Sequence, residues 1–185
     1  MKKITIWGLI LCSLLFVMGC GGDDDCEACN VETEPGNIQV GDALPSFSVV
    51  LNNGAQVNNK SLEGKISLIV LFSTTCPDCR ALFPSIERIY EEYKDNDKFI
   101  LLTISRAEGE DVVGKFMKEN NYTFPYSPQE TRDVYSLFAP SIVPRVYISN
   151  SNGIVQQLFI DNPLATYEEM ESKVNELIEI LCCKA

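Results

Sequence analysis

The run Ile66-Ser-Leu-Ile-Val-Leu-Phe-Ser73, followed after two residues by Cys76-Pro77-Asp78-Cys79 and then by apolar residues at helical spacing, constrains this chain more than any other feature. A stretch so nearly continuous in apolar β-formers suits a strand covered on both faces, at the centre of a sheet. The spacing of Leu82, Ile86, Ile89, Tyr90 and Tyr93 predicts a helix over Pro77 to Tyr93. A buried strand running into a helix is the unit of an α/β fold.

The remaining segments agree with that class. Phe47 to Leu51 and Ala55 to Asn58, joined by Asn52-Asn53-Gly54, read as a short hairpin, because Asn-Gly tolerates the positive φ of tight turns. Ser61 to Lys65 reads as a capped turn, and Phe99 to Ile104 as a second buried strand. Glu110 to Asn120 is a short helix, Tyr122 to Pro128 an extended link, and Arg132 to Ala139 a helical piece stopped by Pro140. Arg145 to Ser149 and Ile154 to Ile160 flank the turn Asn150-Ser151-Asn152-Gly153 and make a second hairpin. Thr166 to Glu169 is a capping box opening a last helix through Met170, Val174, Leu177, Ile178 and Leu181. This order calls for a central mixed β-sheet flanked by helices on both faces, with an N-terminal β-hairpin extension.

The two cysteines of the motif stand where the strand ends and the helix begins. Unpaired N–H groups and the positive end of the helix dipole favour a thiolate at Cys76, and thiolate is the attacking form of sulfur. A two-residue spacer lets Cys79 reach back across the first turn, to close a disulfide or to resolve a mixed one. Pro77 fits the first turn, where its missing N–H costs nothing. Asp78 works against the dipole and argues against a very strong oxidant. A zinc site would need Cys26 and Cys29, or Cys182 and Cys183, as its other half, and an inert structural disulfide is the other alternative. The reactive location favours redox chemistry, with neither a metal nor a cofactor expected.

Composition removes most competing chemistries. With no His among 185 residues, Ser-His-Asp hydrolysis, Cys-His proteolysis and His-ligated zinc are excluded. A formal charge of -11 speaks against a nucleic-acid partner, since phosphate binding rests on clustered Lys and Arg. Eight Cys turn attention to redox chemistry and compartment.

The N-terminus reads as an address. Lys2 and Lys3 precede an apolar run from Ile4 to Met18, too short to span a bilayer comfortably and typical of a signal peptide. Val17-Met18-Gly19-Cys20 resembles the bacterial lipobox, which implies a lipoprotein signal over residues 1–19 and lipid on Cys20; an ordinary cleaved signal is the alternative. Cleavage there removes two Lys and no acid, leaving 13 basic against 26 acidic residues. Residues 20–37 carry six acids and no base, the composition of a flexible tether, and residues 38–185 form the expected folded domain. The expected location is the bacterial cell envelope, lipid-anchored on the periplasmic or cell-surface side.

Two segments carry a family resemblance. Phe72-Ser-Thr-Thr-Cys76-Pro-Asp-Cys79-Arg-Ala-Leu-Phe-Pro84 resembles the active-site segment of thioredoxin-fold proteins, including the Pro five residues past the second Cys. Ser141-Ile142-Val143-Pro144-Arg145-Val146-Tyr147-Ile148 resembles the segment that carries their cis-proline. The leader Gly41 to Phe47, the stretch Leu62 to Lys65 and Phe124-Pro125-Tyr126 resemble the anchored ResA and TlpA class of thiol-disulfide oxidoreductases. The resemblance implies a thioredoxin-like fold, Cys76 as attacking thiol, Cys79 as resolving thiol, Pro144 as the cis-proline and Val143 offering its backbone to a substrate peptide. It further implies protein disulfide or dithiol substrates and an upstream thiol electron donor. A reductant more than an oxidant, and a monomer, are expected.

Departures from the pattern are specific. Thr75 stands where the family usually has Trp, Val70 where many thioredoxins keep a buried Asp, and Leu82 where the ResA class has Glu. By sequence the nearest proton carrier is then Asp78. Cys26, Cys29, Cys182 and Cys183 are candidates for a second disulfide, with a bridge between the adjacent pair strained. Two rival functions stand beside the oxidoreductase. A peroxiredoxin-like peroxidase would want Pro and Thr or Ser where this chain has Ile69 and Ser73, so one requirement is met; a surface-displayed binding module would keep only a structural disulfide.

Overall fold

A computed structural model describes residues 36–183. The signal peptide, Cys20, most of the expected tether, Cys26 and Cys29 lie outside the described residues. Gly36 and Ile38 donate backbone hydrogen bonds to the carbonyls of Ser136 and Phe138, so the chain is already tied to the domain at Gly36.

The hairpin β1 (Ser48–Val50) and β2 (Gln56–Asn58) is antiparallel and runs into a short helix, α1 (Asn59–Leu62), where the sequence suggests only a turn. The difference lies in Asn58, whose side chain accepts from the N–H groups of Lys60 and Ser61 and so caps a full helical turn.

Next comes β3 (Ile66–Phe72), in which every residue is buried, and it leads into α2 (Pro77–Tyr93), the strand and helix expected from the apolar patterns. The chain continues through β4 (Phe99–Ser105), α3 (Glu110–Glu119), β5 (Tyr126–Ser127), α4 (Asp133–Phe138), β6 (Arg145–Ser149), β7 (Val155–Ile160) and α5 (Tyr167–Cys183). The main sheet has the order β5-β4-β3-β6-β7, with β3 parallel to β4 and antiparallel to β6. This is the expected mixed sheet, with β3 at its centre. The edge strand β5 is only two residues long, and Asn52 from the end of the first hairpin donates to its Tyr126 carbonyl, covering an otherwise open edge.

Strand alternation divides the core between two faces. Phe72 packs edge-on against Phe83 of α2, whose ring also meets Phe116 of α3, Tyr122 and Phe124. Tyr147, paired in register with Ile69, faces the other way and meets Phe138 of α4, which in turn meets Phe47. The expected capping box forms at α5: Thr166 and Glu169 each accept from the other's backbone N–H. Among the described residues, no helix is long and apolar enough to cross a membrane.

Among the described residues, two peptide bonds are cis, Val143–Pro144 and Asn162–Pro163. The first is the one anticipated. Nothing in the sequence singled out the second.

Candidate active site

The site assembles because β3 is central and α2 starts from its end. Ser73, Thr74 and Thr75 carry the chain off the sheet, and Cys76, in an extended conformation, is the N-cap residue of α2 with Pro77 inside the first turn. No side chain caps the helix there. Cys76 therefore stands at the start of α2, where the first backbone N–H groups have no partner within the helix. Cys76 is partly exposed, Cys79 is fully buried, and both are free thiols.

Across from the motif, the loop between α4 and β6 brings Val143 to Cys76. The Cys76 thiol donates to the Val143 carbonyl at 3.4 Å. The loop itself is well tied. The Tyr135 hydroxyl donates to the carbonyl of Ile142 at 2.9 Å, and Arg145 Nε donates to that of Ser141 at 3.2 Å. Ile142 has a φ of 71, a left-handed conformation rare for a β-branched residue and costing on the order of 1–2 kcal/mol. It is also exposed, an apolar side chain one residue from the Cys76 contact. Sequence reasoning gave no role to Ile142, because nothing in the residue types signals its backbone angle.

The loop before Cys76 is held from two sides. Arg80 Nε donates to the Thr74 carbonyl at 2.5 Å, and its guanidinium lies over the Phe116 ring. From the loop after β4, Glu108 takes the Ser73 hydroxyl on Oε1 and the Thr74 N–H on Oε2, each at 2.7 Å. The Ser73 hydroxyl also lies 2.8 Å from that of Thr75. Asp78, the nearest carboxylate in sequence, is exposed and takes no part in these contacts. The carboxylate built into the site is Glu108, a residue the sequence did not point to. Ser73, the one feature shared with the peroxidase pattern, has its hydroxyl committed to Glu108 and Thr75.

The environments of the two sulfurs differ strongly. Burial above all pushes the Cys79 thiol well up from its ordinary range; Cys76 and the charge on Glu108 add to this, and a backbone hydrogen bond from Ser73 partly offsets it. A thiol with a raised folded-state value stabilises the fold while protonated. That contribution is complete below the ordinary value of 9.0 and is lost as pH rises beyond it. Fully reduced protein is therefore expected to lose stability between about pH 9 and pH 11 more steeply than its Cys79→Ala variant, by denaturant midpoint. Parallel profiles would show that Cys79 is not held as a buried thiol.

Cys182 and Cys183, at the end of α5, are both exposed and unbridged. Lys98 Nζ lies 2.9 Å from the Cys182 sulfur. Lys98 immediately precedes β4, so this pair is at the end of the sheet opposite Cys76, and the structure does not bring it to the motif. Among the described residues there is no cluster of three or more metal-ligating side chains.

The chain matches the model of the AhpC/TSA family over residues 40–158 and belongs to that family. Within it, the chain falls in the ResA/TlpA-like class with a thioredoxin fold, and it is a thiol-disulfide oxidoreductase. The thiol-disulfide oxidoreductase ResA of Oceanobacillus iheyensis is 27% identical over 152 residues, covering 80% of this chain and 78% of the relative. ResA of Geobacillus kaustophilus is 24% identical over 148 residues, covering 80% and 83%. Among solved structures, a proposed protein disulfide isomerase from Bacteroides thetaiotaomicron superposes with a TM-score of 0.68 at 29% identity, covering 80% of this chain and 94% of that one. StoA from Bacillus subtilis, at 20% identity and a TM-score of 0.61, covers 71% of this chain and 98% of its own, a likeness of fold.

Proposed function

We propose that this protein is a lipid-anchored, extracytoplasmic thiol-disulfide oxidoreductase that reduces protein disulfides through Cys76 and Cys79. The observation that carries the reading is the asymmetry of the pair: a partly exposed sulfur at an uncapped helix start, and a buried one a turn further on. In the first step the Cys76 thiolate attacks a client disulfide. One sulfur of the client leaves and takes up a proton, and a mixed disulfide joins Cys76 to the other. Cys79 then loses its proton and attacks the Cys76 sulfur, which releases the second client thiol and leaves Cys76–Cys79 oxidised. Two electrons have passed to the client, and an upstream dithiol restores the pair by the reverse exchange. Val143 and Pro144 form the edge against which an extended client segment lies, since the Val143 carbonyl already meets the Cys76 sulfur.

Attachment through Cys20, placement on the outer side of a bacterial membrane and action as a monomer complete the reading. They rest on the N-terminal sequence and on the resemblance to the anchored class. Intact-mass analysis of membrane-extracted protein is expected to show an acylated chain beginning at Cys20; a soluble product beginning elsewhere removes the anchor. Activity is tested by coupled reduction of insulin. Reduction that requires Cys76 supports the reading. Consumption of hydrogen peroxide at an equal rate would move the protein to peroxidase chemistry, and inactivity in both assays would leave a binding module. The reduction potential of the pair sets the direction, a value near those of reducing thioredoxins being expected.

A further inference from the structure

We propose that Glu108 is the positioning residue of the redox pair, its two carboxylate oxygens clamping the Ser73-Thr74 loop so that Cys76 is delivered to the start of α2 within reach of Cys79. This rests on the assignment of Cys76 and Cys79 as the reacting pair.

The geometry is built for such a clamp. Ser73 and Thr74 are buried, and their donors point at opposite oxygens of one carboxylate, at equal distances of 2.7 Å. Contacts this short to a charged acceptor are the stronger class of hydrogen bond. Glu108 is itself fixed by its backbone: its carbonyl accepts from the Ser105 hydroxyl at 2.6 Å and from the Gln129 N–H at 3.0 Å. The Ser105 hydroxyl in turn accepts from the same Gln129 N–H at 2.8 Å. Ser105 is the register partner of Phe72, and the Arg106 N–H donates to the Phe72 carbonyl, so the parallel pairing of β3 with β4 sets both ends of the contact. Arg80 grips the Thr74 carbonyl from α2, which leaves the loop before Cys76 held at its N–H by one element and at its carbonyl by another. Removing the carboxylate leaves the buried Thr74 N–H without its acceptor and frees the segment that places the sulfur.

The prediction separates clamp from charge. In Glu108→Gln the amide oxygen still accepts from Thr74, and the amide N–H₂ donates to Ser73, whose hydroxyl turns to Thr75; in Glu108→Ala both bonds are lost. A looser loop lowers the effective concentration of one sulfur at the other. Glu108→Ala is therefore expected to shift the redox equilibrium with glutathione toward the dithiol about tenfold, and to slow insulin reduction by a similar factor. Glu108→Gln is expected to recover most of both losses. A general loss of stability would lower the melting temperature of folded protein without moving the equilibrium constant.

The experiment measures that constant for the parent and both Glu108 variants, and insulin reduction for these three and for Cys76→Ser, in the full chain. An unshifted Glu108→Ala overturns the inference. So does a Glu108→Gln that behaves as Glu108→Ala, because the charge would then be the cause. If Cys76→Ser itself keeps its activity, the failure belongs to the assignment of the pair and not to Glu108.

Discussion

Replacing Cys76 with Ser is expected to lower the rate of disulfide reduction by roughly 10³-fold or more, the scale on which loss of a covalent nucleophile is felt. A hydroxyl is far less acidic and less nucleophilic than a thiol, so a serine at this position supplies no equivalent attacking group at neutral pH. Cys79→Ala is expected to fail differently. Its Cys76 still attacks, but no second thiol in the motif displaces the client, and the mixed disulfide accumulates at close to one equivalent per chain. Stopped-flow reduction of insulin and gel analysis of trapped adducts read the two outcomes. Activity surviving both substitutions would place the chemistry in another pair of cysteines. Burial makes the assignment of roles directional: a fully buried Cys79 reaches only a sulfur that comes to it, which is what a resolving thiol does.

Phe83→Ala is expected to have the largest effect on stability among single substitutions of this core. Phe83 is wholly buried and its ring meets those of Phe72, Phe116, Tyr122 and Phe124, so truncation removes the common member of one face of the core. A cost of about 3–5 kcal/mol follows from the lost transfer energy and the cavity left behind. In a domain of this size that lowers the melting temperature by roughly 10 °C. The residue lies one turn beyond Cys79 on α2, so exchange is expected to slow well below the new melting point as the helix carrying the pair loosens. A change under about 1 kcal/mol would mean that neighbouring rings refill the space.

Much of this architecture was legible in residue order. The uninterrupted apolar run Ile66 to Phe72 identified a doubly covered strand, and α2 has the expected limits because Pro77 starts it and the polar stretch from Lys94 to Asp97 follows it. Hairpins were marked by Gly54 and Gly153, both with positive φ. The cis bond at Pro144 and its nearness to Cys76 followed from resemblance, not from periodicity.

Contacts made by register were not legible. Glu108 is 35 residues from Ser73 in sequence, and only the pairing of Phe72 with Ser105 brings the two loops together. Read along the chain, it is one more acid before a helix. Asp78 is nearer to Cys76 in sequence, yet its position on the helix surface turns it to solvent. β5 has no local signature for a related reason. Two residues carry no alternation, and its strand character comes from pairing with Thr103 and Ile104.

In the proposed exchange Cys76 alone attacks and Cys79 alone resolves. Its most direct test is to react the reduced Cys79→Ala protein with a disulfide-bonded peptide at neutral pH and to locate the linked cysteine by peptide mass mapping. The predicted result is one mixed disulfide, at Cys76. Linkage chiefly at Cys182 or Cys183, which are exposed and lie at the other end of the sheet, or no stable adduct at Cys76, would contradict it.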